Sequence, residues 1–222
     1  MDLSRRSTEM EQLDEEVPEA EALESLADMR RVNRWLGTHR RLWRVVRPFL
    51  ESSPRPRLLD VGCGSADIPD RIRRAFSRPM LTVGVDLKLL HLRAAPPEIR
   101  RVVADAHALP FATEAFDVVV ASHFVHHFDG SDAAAVLRRL YDLARSALVV
   151  DDIRRARVPY LVARWLFPVL LRSRVSRADG VVSVRRAFTP RELAAAFAEA
   201  GVPVRIRRGF PYRLLAVAEK VA

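Results

Sequence analysis

Three acidic residues, Asp60, Asp86 and Asp105, each stand at the end of a short apolar run, and the first leads directly into Asp60-Val61-Gly62-Cys63-Gly64. Glycines at this spacing let a backbone turn sharply and let a ligand approach the main chain. Such a turn, between a strand and a helix, is where a doubly wound α/β sheet holds a nucleoside cofactor. A dinucleotide would call for a third glycine three residues after Gly64 and a helix N-terminus open to its pyrophosphate. Asp67 stands there instead. Carboxylates at Asp60, Asp67, Asp86 and Asp105 would repel phosphate and attract a cation. S-adenosylmethionine carries a sulfonium and an ammonium and no phosphate, so this crevice favours it over a nicotinamide dinucleotide.

A second set of chemistry-bearing residues lies downstream. Five of the six histidines fall between His91 and His127, and His123, His126 and His127 follow the apolar run Phe116–Ser122. An imidazole there could take a proton from an acceptor hydroxyl, since its ordinary pKa lies near neutrality. His126 and His127 are therefore candidate catalytic bases, and Asp152, after the run Ala147–Val150, is a candidate orienting or assisting carboxylate. The structural alternatives are a His-His pair serving as scaffolding and an Asp152 that caps a helix or pairs with Arg154 or Arg155. His123, His126 and His127 with Asp151 or Asp152 would also supply nitrogen and oxygen donors to a metal, but spacing alone does not make the three rings converge, and the expected site contains no metal.

These residues need a parallel sheet to bring them together. Apolar runs ending at Val61, Asp86, Val103, Ser122 and Val150 alternate with helical stretches, which requires mainly parallel strands joined by right-handed crossovers. The near-continuous run Phe116–Ala121 is that of a strand buried on both faces. Before the sheet, apolar residues from Leu23 to Val46 recur at helical spacing with a break at Gly37, predicting two helical pieces. Residues 1–18 are expected to be a loose acidic leader, 19–53 a helical cap and 54–222 the main domain, with Ser52–Pro56 as the linker. The apolar segment Val158–Leu171 is too short to span a bilayer and contains Arg164. It admits three readings: a core helix, a lid over an apolar substrate within an insertion at about 154–187, or a membrane-surface helix. Pro159 suits a first helical turn and Pro168 should kink or end the helix. Thr189-Pro190-Arg191-Glu192 predicts a capping box, with the helix closing at Gly201, and a terminal hairpin follows over 202–219.

The order of these segments resembles the class I S-adenosylmethionine-dependent methyltransferases, and the stretch Asp105–Phe128 resembles the branch acting on quinones and other small molecules. The resemblance implies a seven-stranded, mainly parallel sheet whose last strand inserts antiparallel. It implies that Asp60, Gly62, Cys63 and Gly64 wrap the methionine part of the cofactor. Asp86, with Leu87 beside it, would hold the ribose, Asp105 and Ala106 the adenine, and His123 would line the methionine end. Where the family often has another glycine just after Gly64, this chain has Ser65-Ala66.

Length and composition agree. A chain of 222 residues suits one catalytic core. The net charge of +9 could point to nucleic acid, but nearly all of it is arginine, only Lys88 and Lys220 being lysine, and no helix-turn-helix, zinc or aromatic-stacking pattern accompanies it. The place after the fourth strand reads Ser122-His123-Phe124-Val125, without the Pro-Pro tetrapeptide of base-amine methyltransferases. Cys63 is the one cysteine, which rules out an intrachain disulfide, and the polar, acidic N-terminus lacks a signal-peptide pattern. The expectation is a cytoplasmic enzyme that methylates a small, largely apolar acceptor, phenolic, polyketide or quinone-like, at oxygen. The alternatives are a nucleic-acid methyltransferase and a non-catalytic cofactor-binding protein of the same fold.

Overall fold

The computed structural model describes residues 2–220. Seven strands, β1 (Arg57–Val61), β2 (Leu81–Asp86), β3 (Arg100–Val103), β4 (Phe116–Ser122), β5 (Ala144–Ile153), β6 (Arg205–Gly209) and β7 (Arg213–Glu219), form one sheet in the order β3-β2-β1-β4-β5-β7-β6. The first five are parallel, and β7 runs antiparallel to both β5 and β6. This is the expected doubly wound sheet with its inserted last strand. The chain winds outward in opposite directions from β1 and β4, so the crevice between their carboxyl ends is the topological switch point.

The middle stretches of the central strands, such as Val118–Ala121 and Ala147–Val150, are apolar because helices cover both faces. Leu59, Val119, Leu148 and Leu214 face one layer with α5 (Gly130–Leu143) and α9 (Pro190–Glu199), whereas Leu58, Val118, Val120 and Val149 face α2 (Thr38–Glu51) and α3 (Asp67–Ala75). The period-two alternation of strand side chains thus splits the core into two layers. The capping box forms as predicted: Thr189 Oγ1 accepts from Glu192 N–H at 3.3 Å, and the Glu192 carboxylate accepts from Thr189 N–H at 2.7 Å.

The two N-terminal helical pieces are α1 (Glu19–Trp35) and α2, separated at Gly37 with φ +62°, a conformation that costs a residue without Cβ little. They do different work. α2 belongs to the sheet-covering layer, whereas α1 packs on α8 (Arg174–Arg186) and walls the crevice. The contact is polar at its centre: Asp28 accepts the amides of Arg172 and Ser173 at 2.9 and 2.8 Å, and the hydroxyls of Ser25 and Ser176 meet at 2.8 Å.

Residues 2–18 differ from the loose leader expected. Glu11 is buried, Asp179 accepts the amides of Gln12 and Leu13 at 2.8 and 3.0 Å, Arg6 donates to the His126 carbonyl at 2.9 Å, and Lys88 donates to the carbonyls of Leu13 and Glu15. The segment's acids and main-chain groups find partners on α8 and on the turns after β2 and β4, which composition does not reveal.

The segment Val158–Leu171 is no core helix. It forms α6 (Arg157–Leu161), a π turn over Val162–Leu166 and α7 (Phe167–Leu170), with only Ala163 and Leu171 buried. Pro159 lies in the first turn of α6, and Pro168 in that of α7, where the helix restarts. No helix among the described residues is long and apolar enough to cross a membrane.

At the end of the β5–β7 pairing, where Arg213 stands opposite Ile153, Arg213 is buried and bonds Asp151 through its side chain at 3.3 Å and its carbonyl at 2.8 Å, while Arg41 of α2 meets the same carboxylate at 2.8 Å. Arg213→Ala should destabilise the protein by about 3 kcal/mol or more in urea denaturation, because it breaks a buried ion pair from one side.

Candidate active site

After β1 the chain turns through Gly62 (φ +70°), Gly64 (φ +53°) and Ala66 (φ +55°) into α3. A Cβ on Gly62 would lie 2.1 Å from the Phe124 ring, so this position needs glycine for packing as well as for its φ. Ala66 takes the left-handed conformation that glycine would occupy without strain. Asp86, at the end of β2, fastens this turn. Its Oδ2 accepts the Gly64 amide at 2.8 Å, and Oδ1 accepts the Lys88 amide at 2.9 Å and lies 3.1 Å from Nδ1 of His91 in the short helix α4 (Leu89–Arg93). Oδ2 keeps lone-pair capacity for a ribose hydroxyl. Leu87 is exposed at the rim.

The expected acids do gather here. Burial, reinforced by Asp67 and Asp86, pushes the Asp60 carboxyl well above its usual range, and burial also raises Asp67, which Asn33 contacts at 3.4 Å. Burial raises the Cys63 thiol as well, which leaves it an inert packing group. Asp105 caps a short turn: its Oδ1 accepts the His107 amide at 2.9 Å and lies 2.7 Å from His107 Nδ1, while Ala106 is buried beside it. His123 follows β4 at φ +52°. Its Nδ1 lies 3.1 Å from an Arg213 nitrogen that can only donate, which places the ring proton on Nε2, a buried atom with no partner among the described residues. Burial and Arg213 keep this imidazole neutral.

The second cluster joins His126, His127 and Asp152 to residues that the sequence did not single out. His126 is buried, with Nδ1 2.7 Å from Asp152 Oδ1 and Nε2 3.2 Å from Glu11 Oε1. Burial alone would lower its pKa, but Asp152 and Glu11 outweigh burial and raise it to about 10. Burial likewise opposes ionisation of Asp152, and His126 overrides it, holding the carboxyl well below its usual range. His127 is half-buried, its Nδ1 2.7 Å from Asp14 Oδ2 and its Nε2 4.0 Å from Glu11 Oε2. Ser183 donates to Glu11 Oε1 at 2.5 Å. Glu11 and Asp14 lie more than a hundred residues from their histidine partners in sequence, and no local pattern marks them.

Both clusters line one cavity of about 960 Å³. Residues 59–147 match a family model described as a methyltransferase domain. The chain is 31% identical over 177 residues to a demethylmenaquinone methyltransferase of Roseiflexus castenholzii, covering 72% of this chain and 73% of that protein. The chain belongs to the class I S-adenosylmethionine-dependent methyltransferases. A second demethylmenaquinone methyltransferase, from Roseiflexus sp. strain RS-1, is 33% identical over 136 residues, 57% of this chain and 56% of the relative. The fold likewise matches a SAM-dependent methyltransferase from Aquifex aeolicus with a TM-score of 0.59 at 14% identity, covering 80% of this chain and 88% of that one.

The methyltransferase's cofactor is S-adenosylmethionine, and the first cluster fits it: buried Asp60 is raised by its burial and by half-buried Asp67 and Asp86, which a cation would offset, and no arginine or lysine occupies the turn from Gly62 to Ala66. Of the expected catalytic residues, His126 is an imidazolium with both nitrogens protonated, which does not suit it to take a proton. Asp152 is engaged by it. His127 Nε2 has no hydrogen bond among the described residues.

Asp86→Ala should weaken cofactor binding by about 2–4 kcal/mol in calorimetry, the range for losing charge-assisted hydrogen bonds. Unchanged affinity in a folded variant would remove Asp86 from the site. Because burial raises the Asp60 carboxyl and a cationic ligand favours its ionised form, cofactor affinity should rise with pH through that titration, and Asp60→Asn should flatten the slope. His126→Gln should lower stability by about 3–5 kcal/mol, since it leaves Asp152 buried and unpaired. Adding Asp152→Asn should recover part of that loss, as a double-mutant cycle would measure.

Proposed function

We propose that this methyltransferase acts on a hydroxylated, largely apolar ring of the quinol class, with the ring seated among Met10, Leu26, Met29, Val158 and Leu166. The observation that carries this reading is the cavity itself, whose walls are mainly apolar and whose polar groups fall into two separate clusters, one for the cofactor and one around Glu11 and His127. The cofactor supplies an electrophilic methyl group on a sulfonium. The chain aligns the acceptor in line with it and excludes water. The acceptor's hydroxyl faces the Glu11–His127 edge. Transfer of the hydroxyl proton to that edge pushes electron density into the ring; the adjacent carbon, in place of the oxygen expected from the sequence, then takes the methyl group as its bond to sulfur breaks and sheds its own hydrogen as a proton, which restores the aromatic ring. The names of the Roseiflexus relatives support a quinone-type acceptor.

The outer face of the lid suits collection of such an acceptor from an anionic bilayer. Leu161, Trp165 and Val169 are exposed, and the stretch from Ile153 to Ala178 contains seven arginines and no acidic residue.

Incubation with labelled cofactor and a panel of short-chain quinols, phenols and RNA tests the reading. Methyl incorporation into a quinol, located on a ring carbon by NMR, is expected, with higher turnover when the quinol is carried in anionic vesicles. Incorporation into RNA alone, or into the phenol oxygen alone, would contradict it.

A further inference from the structure

Glu11, His126 and His127 have an arrangement that the transfer of a methyl group does not by itself require. One donor atom from each of the three lies within 4.8 Å of the other two, and the Glu11 oxygens stand 3.2 Å from His126 Nε2 and 4.0 Å from His127 Nε2. The two rings lie nearly face to face, centroids 4.4 Å apart and planes 33° from parallel. Each ring is held from behind by a different carboxylate, His126 Nδ1 by Asp152 and His127 Nδ1 by Asp14, both at 2.7 Å. Fixing Nδ1 in this way fixes the tautomer that turns Nε2 inward, as carboxylates behind metal-bound histidines do.

We propose that Glu11, His126 and His127 bind one divalent transition-metal ion at the acceptor end of the cavity. Ligand bonds of about 2.0–2.2 Å put tetrahedral donors about 3.4 Å apart, a spacing that His126 Nε2 and Glu11 already have at 3.2 Å and that His127 Nε2, at 4.0 Å, reaches by moving inward. Two imidazoles and one carboxylate suit Zn²⁺, Mn²⁺ or Fe²⁺, whereas Mg²⁺ and Ca²⁺ prefer all-oxygen shells. Binding replaces the proton between His126 Nε2 and Glu11 Oε1, which leaves to solvent. The site opens on the cavity, so water completes the shell. That the ion offsets the charge of an ionised acceptor rests on the quinol reading above; the binding itself does not.

The test uses the full chain, stripped with chelator and titrated with Zn²⁺ in calorimetry and with Co²⁺ in visible absorption, without acceptor or cofactor. One equivalent of Zn²⁺ and a Co²⁺ ligand-field spectrum are expected, and Mg²⁺ should give neither. Glu11→Gln and His127→Gln should weaken Zn²⁺ binding about 100-fold or more, and Asp14→Asn by about 10–100-fold. His39→Gln, remote on α2, should change nothing. If Glu11→Gln does not fold, the half-buried His127→Gln and Asp14→Asn carry the test. No stoichiometric binding by the wild type, or wild-type affinity in folded His127→Gln and Asp14→Asn, would overturn the proposal. Binding of metal with no methylation of any quinol would instead leave the site standing and contradict the acceptor reading.

Discussion

The chain of contacts from Asp152 through His126 to Glu11 joins the sheet to the segment that closes the cavity. Asp152 is fixed in β5, His126 rides on the turn after β4, and Glu11 belongs to a stretch with almost no regular structure. The imidazolium lets two buried carboxylates keep their charge side by side, since its removal would leave both uncompensated. The N-terminal segment is thereby committed to one position, and with it come Met10, Asp14 and the amides that Asp179 accepts. Closure of the cavity follows from electrostatics in its floor as much as from apolar packing in its walls.

The cofactor crevice shows the opposite arrangement. There three carboxyls, Asp60, Asp67 and Asp86, converge at the switch point, and burial raises the first two. A site of this kind stores an unfavourable interaction that a sulfonium and an ammonium relieve. The two ends of one cavity are therefore tuned differently, one completed by the chain's own imidazolium and the other awaiting a cationic ligand.

Much of this was legible in the sequence where the physics is local. Strands buried on both faces read as apolar runs, Gly37 and the Thr189–Glu192 box mark helix ends, and the acids after β1, β2 and β3 fall at the ends of strands. What the sequence concealed depends on contacts across long separations. Glu11 and Asp14 resemble any residues of an acidic leader until α8 and the His126–His127 turn are folded beside them. His126 could be marked as a functional candidate but not as a cation, because its protonation depends on burial and on two carboxylates brought in from elsewhere. The segment Val158–Leu171 stayed ambiguous for the same reason, since its apolar residues face the cavity and the solvent rather than the core.

Hydrogen exchange tests the central claim, that the buried imidazolium holds the closing segment in place. Asp152→Asn removes the charge that stabilises His126 while preserving shape. The amides of Gln12 and Leu13 should then exchange much faster than in the wild type, while those of β1 and β4 keep their protection. Equal protection of Gln12 and Leu13 in the folded variant would show that the segment is held by other contacts and would contradict the account.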